Sequence, residues 1–458
     1  MRSSDELRDL SATETAALIR SRAISPLEVL DAAITRAEAA RGLNPLVTET
    51  FERARARARS VDPSLPLAGV PFAVKDLAHV AGVPTAWGSR GANGFVPKKS
   101  EPFVLKLEAL GLLSIGKSAT PELGLTGTTE ALLRGPCRNP WDRTRSVGGS
   151  SGGAACLVAA GVLPMAHASD GGGSIRIPAA CAGLVGLKPT RGLIDLEGSN
   201  LLPVNIAVNG VVTRTVADQS AFYDAIGLAP ARSACAKPPL RIGLFTTSTS
   251  GRPVANEVRD AIVAAGKLCE SLGHRVEELA CPFAEQDVDD FLSYWALVAW
   301  IQLRTARLMM SRQFEPSKVE PWTHGMANHF ARQKLTVLRA VSRLRGFGRR
   351  YGEVMQRFDV IVNMVTADVP PKLGYLAPDI DFDTHFERLR TWLPVTGLWN
   401  AAGAPAITLP LGRNAQDLPI GIQFGAKPGD DRLLLELAAT LEEAAPWPRV
   451  APAERWTK

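Results

Sequence analysis

Cysteine is scarce in this chain: there are six in 458 residues, at Cys137, Cys156, Cys181, Cys235, Cys269 and Cys281, with no Cys-x-x-Cys pair among them. That excludes a disulfide framework and a zinc ribbon, and reduced, mostly buried thiols are expected instead. Histidine is just as rare. None of His79, His167, His274, His324, His329 and His385 stands in a recognisable catalytic motif. Long apolar runs are also missing: the longest, from Ala154 to Ala168, contains Pro164 and is shorter than the ~20 apolar residues that cross a bilayer. The opening MRSSDELRDLSATE has no apolar stretch of the signal-peptide kind, so a cytoplasmic protein without a membrane partner is expected. A concentrated charge of one sign is absent too. The net charge is +6, but the basic residues are scattered, and their densest runs are Arg53, Arg55, Arg57, Arg59 and Arg343, Arg345, Arg349, Arg350. An i, i+2 spacing on a helix sends side chains to different faces, so the first run reads as solvated surface and no nucleic-acid partner is expected.

What is present is an ordinary globular composition, 46% hydrophobic and 21% charged, which supports a substantial core. Two helix starts are explicit: Ser11 with Glu14 has the form of a capping box, and Ser25, Pro26 and Glu28 place a cap, a first-turn proline and a carboxylate in register. LAGVPFAVKD (67–76) reads as a short apolar strand ending in Lys75, Ser100 as the cap of a helix running to Leu110 and stopped by Gly111, and LLSIGKS as another strand. From Val147 to Thr190 the chain reads as a Gly-rich loop, a buried helix (154–161), a second Gly-rich loop and a strand. From about Phe283 to Phe358 the texture becomes long helical patterns with few glycines. FDVIVNMV, APAITLPLG and PIGIQFGAK then read as strands and DDRLLLELAATLEEA as a helix. Alternating strands and helices, with no internal repeat or low-complexity linker, predict one α/β domain over residues 1–458.

The chemistry concentrates in the two Gly-rich segments, Ser146-Val147-Gly148-Gly149-Ser150-Ser151-Gly152-Gly153 and Ser169-Asp170-Gly171-Gly172-Gly173-Ser174-Ile175-Arg176. Glycines allow close backbone approach, and consecutive N–H groups at Gly171, Gly172, Gly173 and Ser174 would form an oxyanion hole beside a serine placed to attack a carbonyl. A serine needs a base. With no histidine in place, a buried lysine of lowered pKa is the alternative, and Lys75 follows the apolar Phe72, Ala73 and Val74. On its own the residue reads more readily as a surface lysine at a strand end paired with Asp76.

The segments GVPFAVKD, GGSSGG and SDGGGSIRIPAA, followed by GLVGLKPTRG, resemble the amidase signature family in order, spacing and residue type. The similarity runs from the helices near residue 11 through Asn400-Ala-Ala-Gly-Ala-Pro-Ala and PIGIQF, and covers residues 285–355 least. It implies a single α/β/α domain around a large mixed β-sheet, with 285–355 a helical insertion that would cover a substrate pocket. It also implies a Ser-cisSer-Lys triad of Ser174, Ser150 and Lys75, and an acyl-enzyme mechanism without metal or organic cofactor. Ser151 would support the site, and Asp170 and Arg176 would pair to hold the nucleophile loop, where otherwise they would be simple surface charges. The chain departs from the family at Gly171, where a Thr or branched residue is commoner and whose absence would widen the site, and at Cys181-Ala182, a change expected to concern core packing.

LKPTRG and GAKPGDDRLLLELAATLEEAAPW most resemble hydrolases of nylon oligomers and related aryl-acylamidases and urethanases. The partner expected is a small-molecule amide or carbamate, handled by a monomer or homodimer. Esters also remain open. Trp295, Trp300, Met309, Met310, Trp322 and Met326, with the LLPVNIAV wall in residues 200–208, suggest an apolar or aromatic pocket, although the same residues would equally serve to pack the insertion onto the core. Two other readings compete. Gly148-Gly149-Ser150-Ser151-Gly152 fits the G-x-S-x-G pattern of α/β-hydrolases with Ser150 as nucleophile. That reading lacks a preceding apolar strand and leaves residues 170–178 unexplained. A glutaminase subunit of a tRNA-dependent amidotransferase would share the fold, yet Arg191-Gly192 stands where Tyr-Gly is usual. A scaffold without activity is disfavoured by the intact triad positions.

Overall fold

Both helix starts form as the sequence implies. Ser11 Oγ accepts the Glu14 N–H while Glu14 reaches back to the Ser11 N–H, and Ser25 caps Pro26–Ala39 through Glu28. The computed structural model describes residues 4–92, 94–228, 239–249 and 251–457. Cys235 lies outside that range, as does the side chain of Met309.

Thirteen strands are present among the described residues. Three form a small sheet: β1 (Leu46–Glu49), β2 (Pro71–Lys75) and β3 (Leu113–Ser118), in the order β1-β3-β2. A two-stranded ribbon joins β4 (Arg138–Asn139) to β5 (Asp142–Ser146). The main sheet holds β6 (Met165–Asp170), β7 (Val185–Lys188), β8 (Val208–Thr213), β9 (Arg241–Leu244), β10 (Arg275–Glu278), β11 (Val360–Met364), β12 (Ala406–Arg413) and β13 (Pro419–Ala426). Their order is β10-β9-β11-β13-β12-β7-β8-β6. The β10-β9-β11 edge is parallel and the rest antiparallel, which makes the sheet mixed, as expected.

Strand periodicity divides the core into layers. On β6 and β8, Met165 and Val211 pack with Val216 and Phe222 of helix Val216–Ala225. Their neighbours Ala166 and Val212 pack instead with Ala155 and Val158 of helix Gly152–Ala159. Helices thus cover both faces, giving the α/β/α sandwich. β6 pairs antiparallel with β8 so that Asp170 lies opposite Val208, and the Gly171–Ser174 loop projects from that strand end.

The region from 283 to 358 is helical as read, with helices Glu285–Met309, Pro321–Arg332, Lys334–Arg345 and Phe347–Val354. Two arginines of the second basic run tie it together: Arg343 pairs with the buried Asp290 and Arg350 with the buried Asp287. In the first run, Arg55 pairs with Asp31 and Arg57 with Glu108 across a surface helix.

Two local readings are corrected. Ser100 does not cap the helix Pro102–Ala109: its Oγ accepts the Ala81 N–H at 2.9 Å, and Glu101 occupies the N-cap position while its carboxylate accepts from the His79 N–H. The second correction concerns 162–182, which holds strand β6 before the glycines and a short helix Arg176–Ala182 after them. A fully buried strand carries no polar alternation, so MAHASD merged with the apolar run before it.

Candidate active site

Lys75 ends β2, a strand buried at all five positions, and this burial carries the side chain into the interior. The surface reading is overturned, because Asp76 pairs with the buried Lys117 at 3.0 Å. Lys75 Nζ donates to Ser150 Oγ at 2.8 Å, to Ser169 Oγ at 3.0 Å and to the Ser169 carbonyl at 3.4 Å. Burial, opposed by the Asp170 charge, pushes the Lys75 ammonium down to about 7. Near neutrality the side chain can therefore accept a proton.

His167, one of the scarce histidines, fixes the backbone of this lysine. Its Nε2 meets Asn209 Oδ1 at 3.0 Å, so the proton sits on Nε2 and Nδ1 is free to accept the Lys75 N–H at 3.2 Å. Burial pushes the His167 imidazole down to about 3, which keeps it neutral.

Ser150 is reached through a cis peptide bond from Gly149, as the resemblance implies. Gly149 packs so tightly that a Cβ would stand 2.6 Å from the Thr128 carbonyl oxygen. Ser151 Oγ exchanges hydrogen bonds with the backbone N–H and carbonyl of Ser169, both at 3.3 Å. It thereby positions the residue that holds Lys75 Nζ.

Asp170 and Arg176 are fully buried, not surface charges. The guanidinium grips the carboxylate bidentately through Nε at 3.0 Å and Nη2 at 3.1 Å. Its remaining N–H groups reach the Thr396 carbonyl, Gln423 Oε1 and Asn400 Oδ1. Burial opposes the Asp170 charge, but Arg176 and the Asn400 amide outweigh it and hold the carboxyl well below the usual carboxylate range. Replacing Arg176 by methionine leaves that carboxylate buried and unpaired, with an expected destabilisation of about 3–5 kcal/mol. Chemical unfolding of the two proteins side by side checks this.

The expected oxyanion hole needs a correction at one position. The Gly173 N–H is turned onto Asp170 Oδ1 at 2.6 Å, which removes it from the four expected donors. Gly173 also requires its glycine: its φ is +121°, and a Cβ would stand 2.7 Å from both Ile177 and Thr396. At Gly171 the missing side chain does not leave open space. A Cβ there would stand 3.1 Å from the Trp295 indole, which fills the place.

Ser174 lines two cavities. The larger, of about 220 Å³, is shared with Ser150, Ser169 and Gly171, and is walled by Leu202, Ile206, Ala207, Trp295, Val298 and Met310. The smaller, of about 50 Å³, is bounded by Ile177, Val288, Phe291, Leu292, Leu393 and Val395. Trp295 stands in both walls, its Nε1 donating to the Leu125 carbonyl and its ring stacked on Phe291. The aromatic and methionine set therefore divides. Trp295 and Met310 line the cavity, whereas Trp300 packs on Phe330, Trp322 on His385, and Met326 is buried in the core. Residues 202, 206 and 207 supply the second apolar wall as read.

The sequence assigns no role to Ser169, Asn400, Gln423 or Thr396, although Asn400 and Gln423 stand within the Asn400-Ala-Ala-Gly-Ala-Pro-Ala and PIGIQF segments. Ser169 was legible only as the residue before Asp170, and the other three lie more than two hundred positions downstream, brought in by the fold. Cys181 is buried behind the site, against Ala180 and Ile177. Among the described residues, no cluster of three or more His, Cys, Asp or Glu is placed to hold a metal, and no helix is long and apolar enough to cross a membrane.

A family model described as Amidase matches residues 28–435 of the chain. AmiC of Mycobacterium leprae (strain TN), a protein provisionally named an amidase, is 41% identical over 461 residues, spanning 97% of each chain. Among solved structures, a 6-aminohexanoate cyclic dimer hydrolase complexed with substrate superposes with a TM-score of 0.87 at 30% identity, covering 96% of this chain and 98% of that one. A bacterial aryl acylamidase of the amidase signature family superposes at 0.82 with 27% identity over 96% of both.

Proposed function

This chain belongs to the amidase family, and from that membership we infer that it hydrolyses small amides through an acyl-enzyme on Ser174. The observation that carries this reading is Lys75 Nζ, buried and 2.8 Å from Ser150 Oγ at the cavity that Ser174 also lines. Neutral Lys75 keeps its two N–H bonds on the Ser169 hydroxyl and carbonyl, and its lone pair takes the Ser150 proton. Ser150 in turn takes the proton of Ser174 as Ser174 Oγ bonds to the substrate carbonyl carbon. The N–H groups of Gly171, Gly172 and Ser174 receive the oxyanion. As the carbonyl re-forms, the carbon–nitrogen bond breaks and the relay returns its proton to the departing amine. Water then enters by the same path: its proton passes to the relay, its oxygen bonds to the acyl carbon, and as the ester bond breaks Ser174 Oγ takes the relay's proton back and the acid is released. Carbamates and esters present the same carbonyl and fit the same steps.

A pH dependence follows from the base. Below about 7, Lys75 is protonated and cannot accept, so kcat/KM should rise about tenfold per pH unit and level off above that value. A profile flat from pH 5 to 9 would contradict the assignment, as would activity lost to a chelator and restored by zinc.

The two apolar cavities meeting at Ser174 favour substrates with an apolar or aromatic group. Hydrolysis of p-nitroacetanilide is expected to exceed that of glutamine or acetamide in kcat/KM by on the order of 100-fold, the discrimination that burying one or two apolar groups provides. Side-by-side kinetics check it. Glutamine as the better substrate would favour the glutaminase reading.

A further inference from the structure

We propose that the Trp295 indole is a partition that splits the site into a small acyl pocket and a larger pocket for the leaving amine, and that it thereby restricts the protein to amides with a short acyl group on a bulky amine. The inference rests on the amide-hydrolysis reading above and deepens it by giving each half of the substrate its place.

Gly124, Ser174 and Trp295 stand in the walls of both cavities, and of these only Trp295 brings a large side chain to the boundary. Two neighbouring glycines locate its ring. Gly171 borders the larger cavity and Gly172 the smaller. A Cβ on Gly171 would stand 3.1 Å from the indole Cη2, and one on Gly172 would stand 4.0 Å from its Cζ3. The outer edge of the ring thus lies at the step from one cavity to the other. It is held there by two restraints: Nε1 donates to the Leu125 carbonyl at 3.1 Å, and the ring stacks on Phe291 with centroids 5.9 Å apart.

The relay decides which cavity takes which half. The departing nitrogen receives its proton from Ser150 and must lie within hydrogen-bond reach of it. Ser150 stands in the wall of the larger cavity and not of the smaller, so the amine belongs in the larger one and the acyl group on the far side of the indole. The volumes then set the sizes. One water needs about 10–15 Å³ of such space. The cavity of about 50 Å³ therefore takes an acyl chain of only about four heavy atoms, whereas about 220 Å³ takes an amine of about fifteen, enough for two aromatic rings.

The test varies the two halves separately and reads kcat/KM. With 4-nitroaniline as the common leaving group, the octanoyl anilide is expected to be cleaved about 100-fold less well than the acetyl anilide by the unmodified protein. Enlarging the amine instead, from 4-nitroaniline to 4-amino-4'-nitrobiphenyl on an acetyl group, should change the value by less than about tenfold. In Trp295→Ala the octanoyl-to-acetyl ratio should rise at least about tenfold, and in Trp295→Phe, which keeps a ring against Phe291, by less in the same direction. General damage to the fold would lower both substrates together and leave the ratio unmoved. The Leu125 carbonyl keeps a donor in either variant, since Trp322 Nε1 also reaches it at 3.1 Å. A ratio unchanged in both variants would overturn the partition. So would the reverse pattern in the unmodified protein, with octanoyl accepted and the biphenyl amine refused. The same acyl series as 4-nitrophenyl esters separates this from the reaction: esters cleaved with the expected ratio beside inert anilides would count against amide hydrolysis and not against the partition.

Discussion

Replacing Ser174 by alanine should lower kcat on anilide substrates by on the order of 10⁶-fold, the loss typical of removing a nucleophile that works with a relay. The substitution deletes one oxygen at the mouth of two cavities and leaves the loop's restraints untouched. Those restraints are the Gly173 and Ile175 N–H groups on Asp170, and the Arg176 clamp behind them. Unfolding curves of the two proteins should therefore coincide. Retention of more than about a tenth of the activity would show that another group attacks the carbonyl. The α/β-hydrolase reading makes the opposite forecast, since with Ser150 as nucleophile Ser174→Ala would be tolerated. It also requires a histidine at Ser150, whereas the hydrogen bond found there comes from Lys75.

Lys75→Met should cost about 10³–10⁴-fold in kcat, near the upper range for a lost general base. Methionine preserves most of the stem, so the change separates the base from the packing. A buried ammonium is expensive to desolvate, and removing it should leave stability equal or higher while activity collapses. Lys75→Arg should be no rescue, since a guanidinium does not give up its proton. Ser150→Ala should fall in the same range, and combining it with Lys75→Met should add little, because the two act as one relay. A Lys75→Met protein retaining more than a tenth of the activity at pH 8 would remove lysine from the account; pre-steady-state measurement of the acylation phase checks this.

Much of this arrangement was legible in the sequence because it is local. The Ser11 and Ser25 caps, the apolar strand that buries Lys75 and the glycines bracketing Ser150 and Ser174 are each written within about ten residues. The paired charges Asp170 and Arg176 sit six positions apart and follow from the same segment. What was not legible depends on long-range placement. Asn400, Thr396 and Gln423 complete the Arg176 clamp from distant elements; Asn400 and Gln423 stand in segments that carry the family resemblance, but nothing local in them points to Arg176. Whether Gly171 opened the site turned on Trp295, more than a hundred residues away, whose ring occupies the space. The four-donor oxyanion hole failed at Gly173 for a similar reason, since an N–H counted as free was held by the Asp170 side chain. The aromatic and methionine residues of the insertion could not be sorted by type. Only the packing of helix Glu285–Met309 decides that Trp295 and Met310 face the cavity while Trp300 turns to Phe330.

The central claim is that Ser174 is the nucleophile and that Lys75 makes it one. A fluorophosphonate probe reacts with an activated serine and stays attached, so the labelled residue can be located by peptide mass spectrometry. The account predicts a single adduct on Ser174, formed faster as pH rises through about 7 and absent from Lys75→Met on the same timescale. An adduct on Ser150, or labelling of Ser174 that is indifferent to Lys75, would contradict it.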